Sequence, residues 1–168
     1  MRILGIDPGS RKTGFGIIEM VRQQPVYVAS GVIRVEKFPA PQRLKRIFEA
    51  FGELVRQYAP DQVAVEKVFV HKDPVAAIKL GQARGVVLCA AALAELPIYE
   101  YTPTRIKGAI VGKGHARKEQ VQFMVRQLLR LSETPQEDAA DALACALCHG
   151  RLAALGVDLS ILNKGARF

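Results

Sequence analysis

RILGIDPGSRKTGFGII, residues 2–18, is the stretch that decides the fold of this chain. It begins with a short apolar run that ends in an acid, Asp7, and a Pro-Gly pair follows that cannot continue a central strand. A strand-like pattern with two glycines resumes at Thr13, so the stretch predicts the first hairpin of a sheet. An acid at the tip of a buried strand, beside a turn that a ligand can approach, suits metal or phosphate chemistry. Asp7 could instead only stabilise the turn through its own side chain.

The length and charge of the chain limit the class of protein. Its 168 residues, 49% of them hydrophobic, are enough for one domain with a substantial core, and we expect that domain over residues 1–155 with a loosely held tail over 156–168. The 24 Lys and Arg outnumber the 16 Asp and Glu, and a net charge of +8 favours nucleic acid over membrane as the partner. We find no run of about 20 apolar residues and no signal sequence, so we expect a cytoplasmic protein.

The three cysteines do not predict a metal site. Cys145 and Cys148 have C-x-x-C spacing with His149 adjacent, but no second ligand pair of suitable spacing follows, and a structural zinc site needs four ligands. On a helix these thiols are more simply small core or interface side chains. Cys89 lies in an Ala-rich helical run and is predicted to be in the core.

Strands and helices alternate along the rest of the chain. The apolar spacing predicts a third strand antiparallel to the second, then an amphipathic helix, then a strand that ends in Glu66. Asp73 is a predicted N-cap with proline at the first helical position of a long helix. In order, the predicted elements after the hairpin are a strand at 25–35, a helix at 41–58, a strand at 62–66, a helix at 74–95, a strand at 98–101, and helices at 104–111, 117–131 and 135–154.

The long predicted helix carries a repeat of small residues. Ala77, Gly81, Gly85 and Cys89 recur every fourth residue, which lets another backbone come close along one face. Two interpretations remain open. The face could pack tightly onto the sheet, or it could form a helix-to-helix contact between subunits.

Glu66 repeats the pattern of Asp7, because it too ends an apolar strand. If the two strands are parallel neighbours, both carboxylates project from the same edge of the sheet. An exposed glutamate beside Lys67 is the alternative.

TPQEDAADAL, residues 134–143, holds two further acids. Thr134 and Glu137 predict a capping box with Pro135 at the first helical position, which places Asp138 and Asp141 beyond the first turn and on one face. Like charges at that spacing repel unless a cation neutralises them, and Mg²⁺ prefers carboxylate oxygens, water and phosphate oxygens. An exposed acidic helix face is the alternative.

Four motifs together resemble the signatures of the RuvC family of Holliday-junction resolvases. They are IDPGS at 6–10, TGFG at 13–16, VE at 65–66 and DAADALA at 138–144, and the resemblance covers the chain to about residue 150. It implies a ribonuclease H-like α/β fold, with a five-stranded mixed sheet flanked by helices in a single nuclease domain. It also implies a metal-binding catalytic set, namely Asp7, Glu66, Asp138 and Asp141.

The resemblance also implies an activity and partners. The expected protein is a structure-specific endonuclease that resolves four-way DNA junctions in recombination and repair by paired symmetric nicks. Two Mg²⁺ ions per subunit, with Mn²⁺ as a substitute, would support hydrolysis to 5′-phosphate and 3′-hydroxyl ends. Because the junction has two-fold symmetry and one chain offers one acidic cluster, we expect a homodimer. The branch-migration proteins RuvA and RuvB are the expected partners.

DNA contacts are expected from basic side chains near the acids. The resemblance implies that Lys107 and Lys118 hold the DNA backbone and that Phe69 contacts bases at the junction centre, although a phenylalanine among valines is more often core. The region holds further basic residues, each of which could equally be a solvated surface charge. They are Arg105, Lys113 and Arg117.

Two other functional classes remain as alternatives. A phosphotransferase or ATPase of the actin and sugar-kinase type also has an acid-x-Gly turn between its first strands, but it needs two such domains around the nucleotide. A basic nucleic-acid-binding protein with purely structural acids is the second alternative.

Overall fold

The computed structural model describes residues 1–67 and 73–159, and it confirms the predicted five-stranded mixed sheet flanked by helices. The strand order across the sheet is β3-β2-β1-β4-β5. In chain order the elements are β1 (Arg2–Asp7), β2 (Lys12–Val21), β3 (Gln24–Arg34), α1 (Ala40–Tyr58), β4 (Gln62–Glu66), α2 (Pro74–Leu93), β5 (Ile98–Tyr101), α3 (Pro103–Val111), α4 (Lys118–Leu128) and α5 (Glu137–Ala154).

The pairing of β1 places the two strand-terminal acids at one edge of the sheet. β1 pairs with β2 in antiparallel register and with β4 in parallel register, so β1 and β4 end together at Asp7 and Glu66. β5 is parallel to β4, and β3 is antiparallel to β2 as predicted. We call this end of the sheet, where β1 and β4 end, the acidic edge.

The two faces of the sheet carry side chains of different size. Successive residues of a strand point to opposite faces. One face presents Leu4, Ile6 and Val63, which form a buried cluster with residues of α1 and α2. The other face presents small residues to α5, because Gly5 pairs with Gly16 and with Ala64.

The glycines let α5 lie directly against β1 and β2. A Cβ atom on Gly5 would lie 2.1 Å from the carbonyl oxygen of Ala142, and one on Gly14 would lie 1.9 Å from the carbonyl oxygen of Asp138. Both separations are shorter than van der Waals contact allows, so a larger residue would push α5 away from the sheet. Residues 142–150 of α5 are correspondingly buried.

The N-terminus of α5 differs from the prediction. The helix begins at Glu137 with Gln136 as its N-cap, and no side chain caps it, so the predicted capping box of Thr134 and Glu137 is wrong. Gln136 Oε1 instead accepts a hydrogen bond from Arg34 at 2.9 Å. Consequently Asp138 lies in the first turn, where the helix dipole favours an acid, and only Asp141 lies beyond it.

α2 begins as predicted, but it presents its small residues to solvent. Asp73 caps the helix by accepting a hydrogen bond from the backbone N–H of Val75 at 2.9 Å. Nothing lies within 4 Å of a Cβ atom built on Gly81 or Gly85, so the small-residue face does not pack on the sheet. The prediction that Cys89 is in the core is wrong, because its side chain is exposed.

α2 also has the length and apolar composition of a membrane span, so our expectation that no such stretch exists is wrong for this helix. Several observations tie it to the sheet instead. Arg84, in its middle, donates a 3.0 Å hydrogen bond from Nε to Glu100 of β5. Ala83, Val87 and Ala91 pack in the core.

His149, on the buried face of α5, links this helix to β4 and β5. The side chain is fully buried; Nδ1 lies 2.6 Å from the Tyr101 hydroxyl and Nε2 lies 2.6 Å from Gln62 Oε1. A neutral imidazole satisfies both partners, since the tyrosine donates to one nitrogen and the other donates to the amide oxygen. Burial lowers the pKa of His149 to about 4. Cys145 and Cys148 are buried on the same helix, which confirms that they are core side chains.

Two predictions fall outside the described residues. Phe69 lies in 68–72, and most of the predicted tail lies in 160–168.

Replacing Gly5 with alanine tests the close packing of α5. We expect Gly5→Ala to lower the free energy of unfolding by at least about 2 kcal/mol, because its methyl group would overlap the Ala142 carbonyl. Gly108→Ala is the matched control, since that helical position has no atom within 4 Å of the added carbon. Chemical denaturation measures both. Equal stability of the two variants would contradict the proposed packing.

His149 should make stability depend on pH. The imidazole pKa is about 6.5 unfolded and about 4 folded, so stability is complete above 6.5 and is lost as the pH falls towards 4. The expected loss is about 3 kcal/mol. Denaturation of wild type and His149→Gln between pH 7 and 4 measures it. The variant should start less stable and lack this loss, and parallel curves for the two proteins would refute the assignment.

Candidate active site

The fold brings acids from three separate segments of the chain together at the acidic edge. Asp7 ends β1 and Glu66 ends β4, while Asp138 and Asp141 come from the first two turns of α5. All four are half-buried. We call these four residues the acidic patch.

Burial and mutual repulsion raise the pKa of Asp7 to about 8. Burial contributes most, followed by the negative charges of Glu66, Asp141 and Asp138. Asp7 therefore lies within electrostatic reach of the other three carboxyl groups. Asp7 therefore holds a proton at neutral pH in the absence of a cation.

Two other acids of the patch are perturbed in the same direction. Burial and the charge of Asp141 raise the pKa of Glu66 to about 7. Burial, followed by repulsion from Glu137 and Asp138, raises the pKa of Asp141 to about 6. Structural ion pairs lower carboxyl pKa values, so this shift is typical of acids held together for a purpose other than stability.

Cys145 is a buried thiol close to the patch. It follows Asp141 by one turn of α5 and is fully buried. Burial raises the pKa of its thiol well above the ordinary value, and the charges of Glu66 and Asp7 add to the effect. The thiol therefore stays neutral and acts as a small apolar side chain of the core.

Two lysines lie close enough to act on the acids. Lys118, the first residue of α4, bonds to Glu137, and this hydrogen bond raises the pKa of the lysine. Its charge also acts on Asp7 and Asp141, whose pKa values it lowers. Lys107 of α3 lowers the pKa of Glu66 in the same way. The structure therefore places both lysines beside the acids, as predicted.

The other predicted DNA contacts lie around this pair of lysines. Arg105 is exposed on α3; burial raises the pKa values of Tyr101 and Cys148, and the charge of Arg105 partly opposes this rise. Lys113 is exposed in the loop between α3 and α4, and Arg117 is the N-cap of α4. Their contact with DNA remains a prediction.

The donor chemistry of the acidic patch suits divalent cations. Carboxylate oxygens that repel one another and hold protons are stabilised by a hard cation such as Mg²⁺. Among residues 1–67 and 73–159, no three acidic, histidine or cysteine side chains are arranged to share one ion. The side chains of the patch would therefore have to close on an ion that they bind.

Our sequence reasoning missed a group of basic residues on the other side of the acids. Arg11 and Lys12 follow the Pro-Gly turn, and Arg34 and Lys37 lie at or after the end of β3. All four are exposed at the acidic edge. The signal was the basic pair that follows Asp-Pro-Gly-Ser, which we interpreted only as part of the hairpin.

Comparison with known proteins gives a consistent assignment. The family model "Crossover junction endodeoxyribonuclease RuvC" matches residues 3–149. The protein of that name from Hydrogenovibrio crunogenus is 66% identical over 99% of this chain and 97% of its own length. The one from Nitrosomonas eutropha is 54% identical over 97% of this chain and 92% of its own length.

Solved structures show the same fold. Thermus thermophilus RuvC in complex with a Holliday junction substrate superposes with a TM-score of 0.86 at 38% identity, covering 94% of this chain and 97% of that one. The yeast mitochondrial resolvase Ydc2 has a TM-score of 0.65 at 12% identity, covering 97% of this chain and 85% of that one, which is a likeness of fold alone. The chain therefore belongs to the RuvC family of crossover junction endodeoxyribonucleases, a family of nucleases with a ribonuclease H-like fold.

Proposed function

We propose that this protein is a Mg²⁺-dependent endonuclease that resolves four-way DNA junctions by paired symmetric nicks. The convergence of Asp7, Glu66 and Asp141 on one edge of the sheet carries the proposal, because their raised pKa values call for a cation. A kinase or ATPase of the actin type needs a second domain of the same kind, whereas the nuclease family model spans residues 3–149 of this chain. A binding protein has no need to hold repelling acids together.

Asp7, Glu66, Asp138 and Asp141 would hold two divalent ions, with Mn²⁺ as a substitute for Mg²⁺. Bound there, such ions would lower the pKa of a water molecule and stabilise the leaving oxygen, and hydrolysis would give 5′-phosphate and 3′-hydroxyl ends. The chain itself supplies rigid support, because two of its acids end neighbouring strands and two lie on the helix packed beneath them. Asp7 would lose its proton when the cations bind.

Lys118 and Lys107 would orient the DNA. Lys118 is held by Glu137 and lies within electrostatic reach of Asp7, which suits it to contact a phosphate next to the scissile one. Lys107 acts on Glu66 and Asp141 from the side of α3. Each lysine would draw the backbone onto the acids without taking part in bond cleavage.

The second nick requires a second acidic patch, and we propose that α2 supplies the contact between two subunits. Its exposed face combines the small residues Gly81, Gly85 and Cys89 with Ile78, which is 63% exposed, and Leu93, which is 69% exposed. Exposure of an apolar helix face to water is unfavourable, and glycines let a second helix approach closely. A two-fold axis along this face would relate the two patches.

The remaining partners follow from the family. We propose that RuvA and RuvB, the branch-migration proteins with which RuvC proteins work, deliver the junction to this nuclease. We further propose that it acts in the cytoplasm.

Replacing Asp7 with asparagine separates cutting from binding. Asp7→Asn should reduce the rate of cutting of a synthetic four-way junction in Mg²⁺ by about a thousandfold or more, because it keeps the side-chain shape but removes the negative charge and one oxygen of a metal ligand. Junction binding without metal should be unchanged or tighter, since a source of repulsion is lost. A nicking assay and an electrophoretic mobility assay measure the two effects.

Two controls accompany this variant. Glu53→Gln, which neutralises an exposed acid of α1, should cut as wild type does. A linear duplex of matched sequence should remain uncut. Residual cutting by Asp7→Asn at the wild-type rate would remove Asp7 from the active site, and equal cutting of junction and duplex would remove the resolvase assignment.

Filling the small-residue face of α2 tests the dimer. Gly81→Leu/Gly85→Leu should convert a dimer to a monomer in analytical ultracentrifugation, because the new side chains hold a second helix away. The helix itself should gain stability from losing two glycines, so the loss of the dimer would not reflect unfolding. Gln127→Leu, on the exposed surface of α4, is the control and should remain dimeric. A dimeric double variant would place the interface elsewhere.

A further inference from the structure

Four exposed basic residues stand at the acidic edge on the opposite side from α3 and α4. Arg11 lies in the turn between β1 and β2, Lys12 begins β2, Arg34 ends β3, and Lys37 follows it. Lys12 and Arg34 are directly paired across β2 and β3. We call these four residues the basic flank.

The basic flank carries an excess of positive charge. Glu36 is the acid that faces it, and the charges of Arg34, Lys12 and Arg11 all act on this carboxyl group. The four cations outnumber this acid, so the flank has a positive net charge. Such an excess on one small surface is repulsive in the free protein and attracts a polyanion.

The turn that carries Arg11 and Lys12 is held rigidly. The Thr13 hydroxyl is fully buried; it donates to the carbonyl of Gly9 at 3.0 Å and accepts from the Gly9 amide at 3.3 Å. The amide of Val35 donates to the carbonyl of Arg11 at 2.9 Å, which ties the turn to the chain after β3. A Cβ atom on Gly9 would lie 1.9 Å from the Lys12 carbonyl oxygen, so the turn closes only with glycine there. The backbone positions from which Arg11 and Lys12 project are therefore fixed.

The basic flank lies at a useful distance from the acids. Asp7 pairs with Gly14, and Lys12 lies two residues from Gly14 along β2, directly opposite Arg34 of β3. With strands about 5 Å apart and a rise of about 3.3 Å per residue, the backbone of Lys12 is roughly 8 Å from that of Asp7 and the backbone of Arg34 is roughly 12 Å away. These separations correspond to about two to four nucleotides of rise along a DNA strand. Lys107 and Lys118 flank the acids on the opposite side. A DNA strand across the acidic edge would therefore meet cations, then acids, then cations again.

Cations on both sides of the acidic patch would offset its repulsion of DNA phosphates. The four acids of the patch repel the phosphate that they must hold, and lysines on one side alone would leave the DNA beyond the acids without attraction. We propose that the basic flank binds the backbone phosphates of the DNA arm that leaves the acidic patch on the β2–β3 side. The inference rests on the proposed function, since it names a further contact with the same substrate.

Arg34 also bonds to Gln136, the N-cap of α5, so it connects this contact to the helix that carries Asp138.

The test compares charge removal at the two ends of the sheet. Arg11→Gln/Lys12→Gln removes two charges of the flank while leaving Arg34 in place. Arg22→Gln/Arg56→Gln removes two exposed charges from the opposite end, where the β2–β3 hairpin turns and α1 ends. Arg11→Lys/Lys12→Arg keeps both charges. Dissociation constants for a four-way junction are measured without metal between 50 and 200 mM salt, and thermal unfolding checks that all variants fold.

The flank variant should bind the junction about tenfold more weakly at the lower salt concentration, and its salt slope should fall by about two. The opposite-end variant and the charge-keeping variant should behave as wild type. Equal binding by the flank and opposite-end variants would overturn the proposal and leave these residues as solvated surface charges. Wild-type protein that bound junction and linear duplex equally would instead refute the proposed function, because that comparison involves no substitution in the flank.

Discussion

The contact of α5 with the glycines of β1 and β2 is the constraint on which the rest of this structure depends. Any side chain at Gly5 or Gly14 would overlap the helix backbone, so these two positions set how closely the helix approaches the sheet. Because α5 carries Asp138 and Asp141, the same contact sets how closely those acids approach Asp7. A helix displaced by the width of a methyl group would separate the two halves of the acidic patch. Stability and the geometry of the acidic patch therefore depend on the same packing interaction.

Holding the four acids of the acidic patch together lowers the stability of the metal-free protein. Three of its carboxyl groups have pKa values raised by burial and by one another, so ionisation near neutral pH destabilises the metal-free fold. Surrounding groups limit this cost. Lys107 and Lys118 lower the pKa values from the side, and the buried contacts of His149 hold α5 against β4 and β5 from below. The fold tolerates repelling acids because rigid elements on every side prevent them from moving apart.

Two surfaces of the molecule differ in chemistry. The acidic edge gathers acids between two groups of cations, and α2 presents an apolar face on another side of the fold. Exposed Ile78 and Leu93 have no role in the fold of a single chain, yet they lie on a helix whose inner face is anchored by Arg84 and Glu100. A nuclease that must act twice on a symmetric substrate needs both kinds of surface. In our proposal the first surface binds DNA, and the second brings together two copies of the chain.

The sequence by itself determined the elements and the chemistry. The apolar runs that end at Asp7 and Glu66, the Pro-Gly turn and the proline after Asp73 are local signals, and each was confirmed because a strand end or helix start depends on neighbouring residues. Only the tertiary structure decided which residues meet. The capping box at Thr134 does not form because α5 begins only at Glu137, after Gln136, which bonds to Arg34, a residue 102 positions away. Cys89 is exposed because α2 buries its other face. Such contacts join distant parts of the chain, and no local pattern records them.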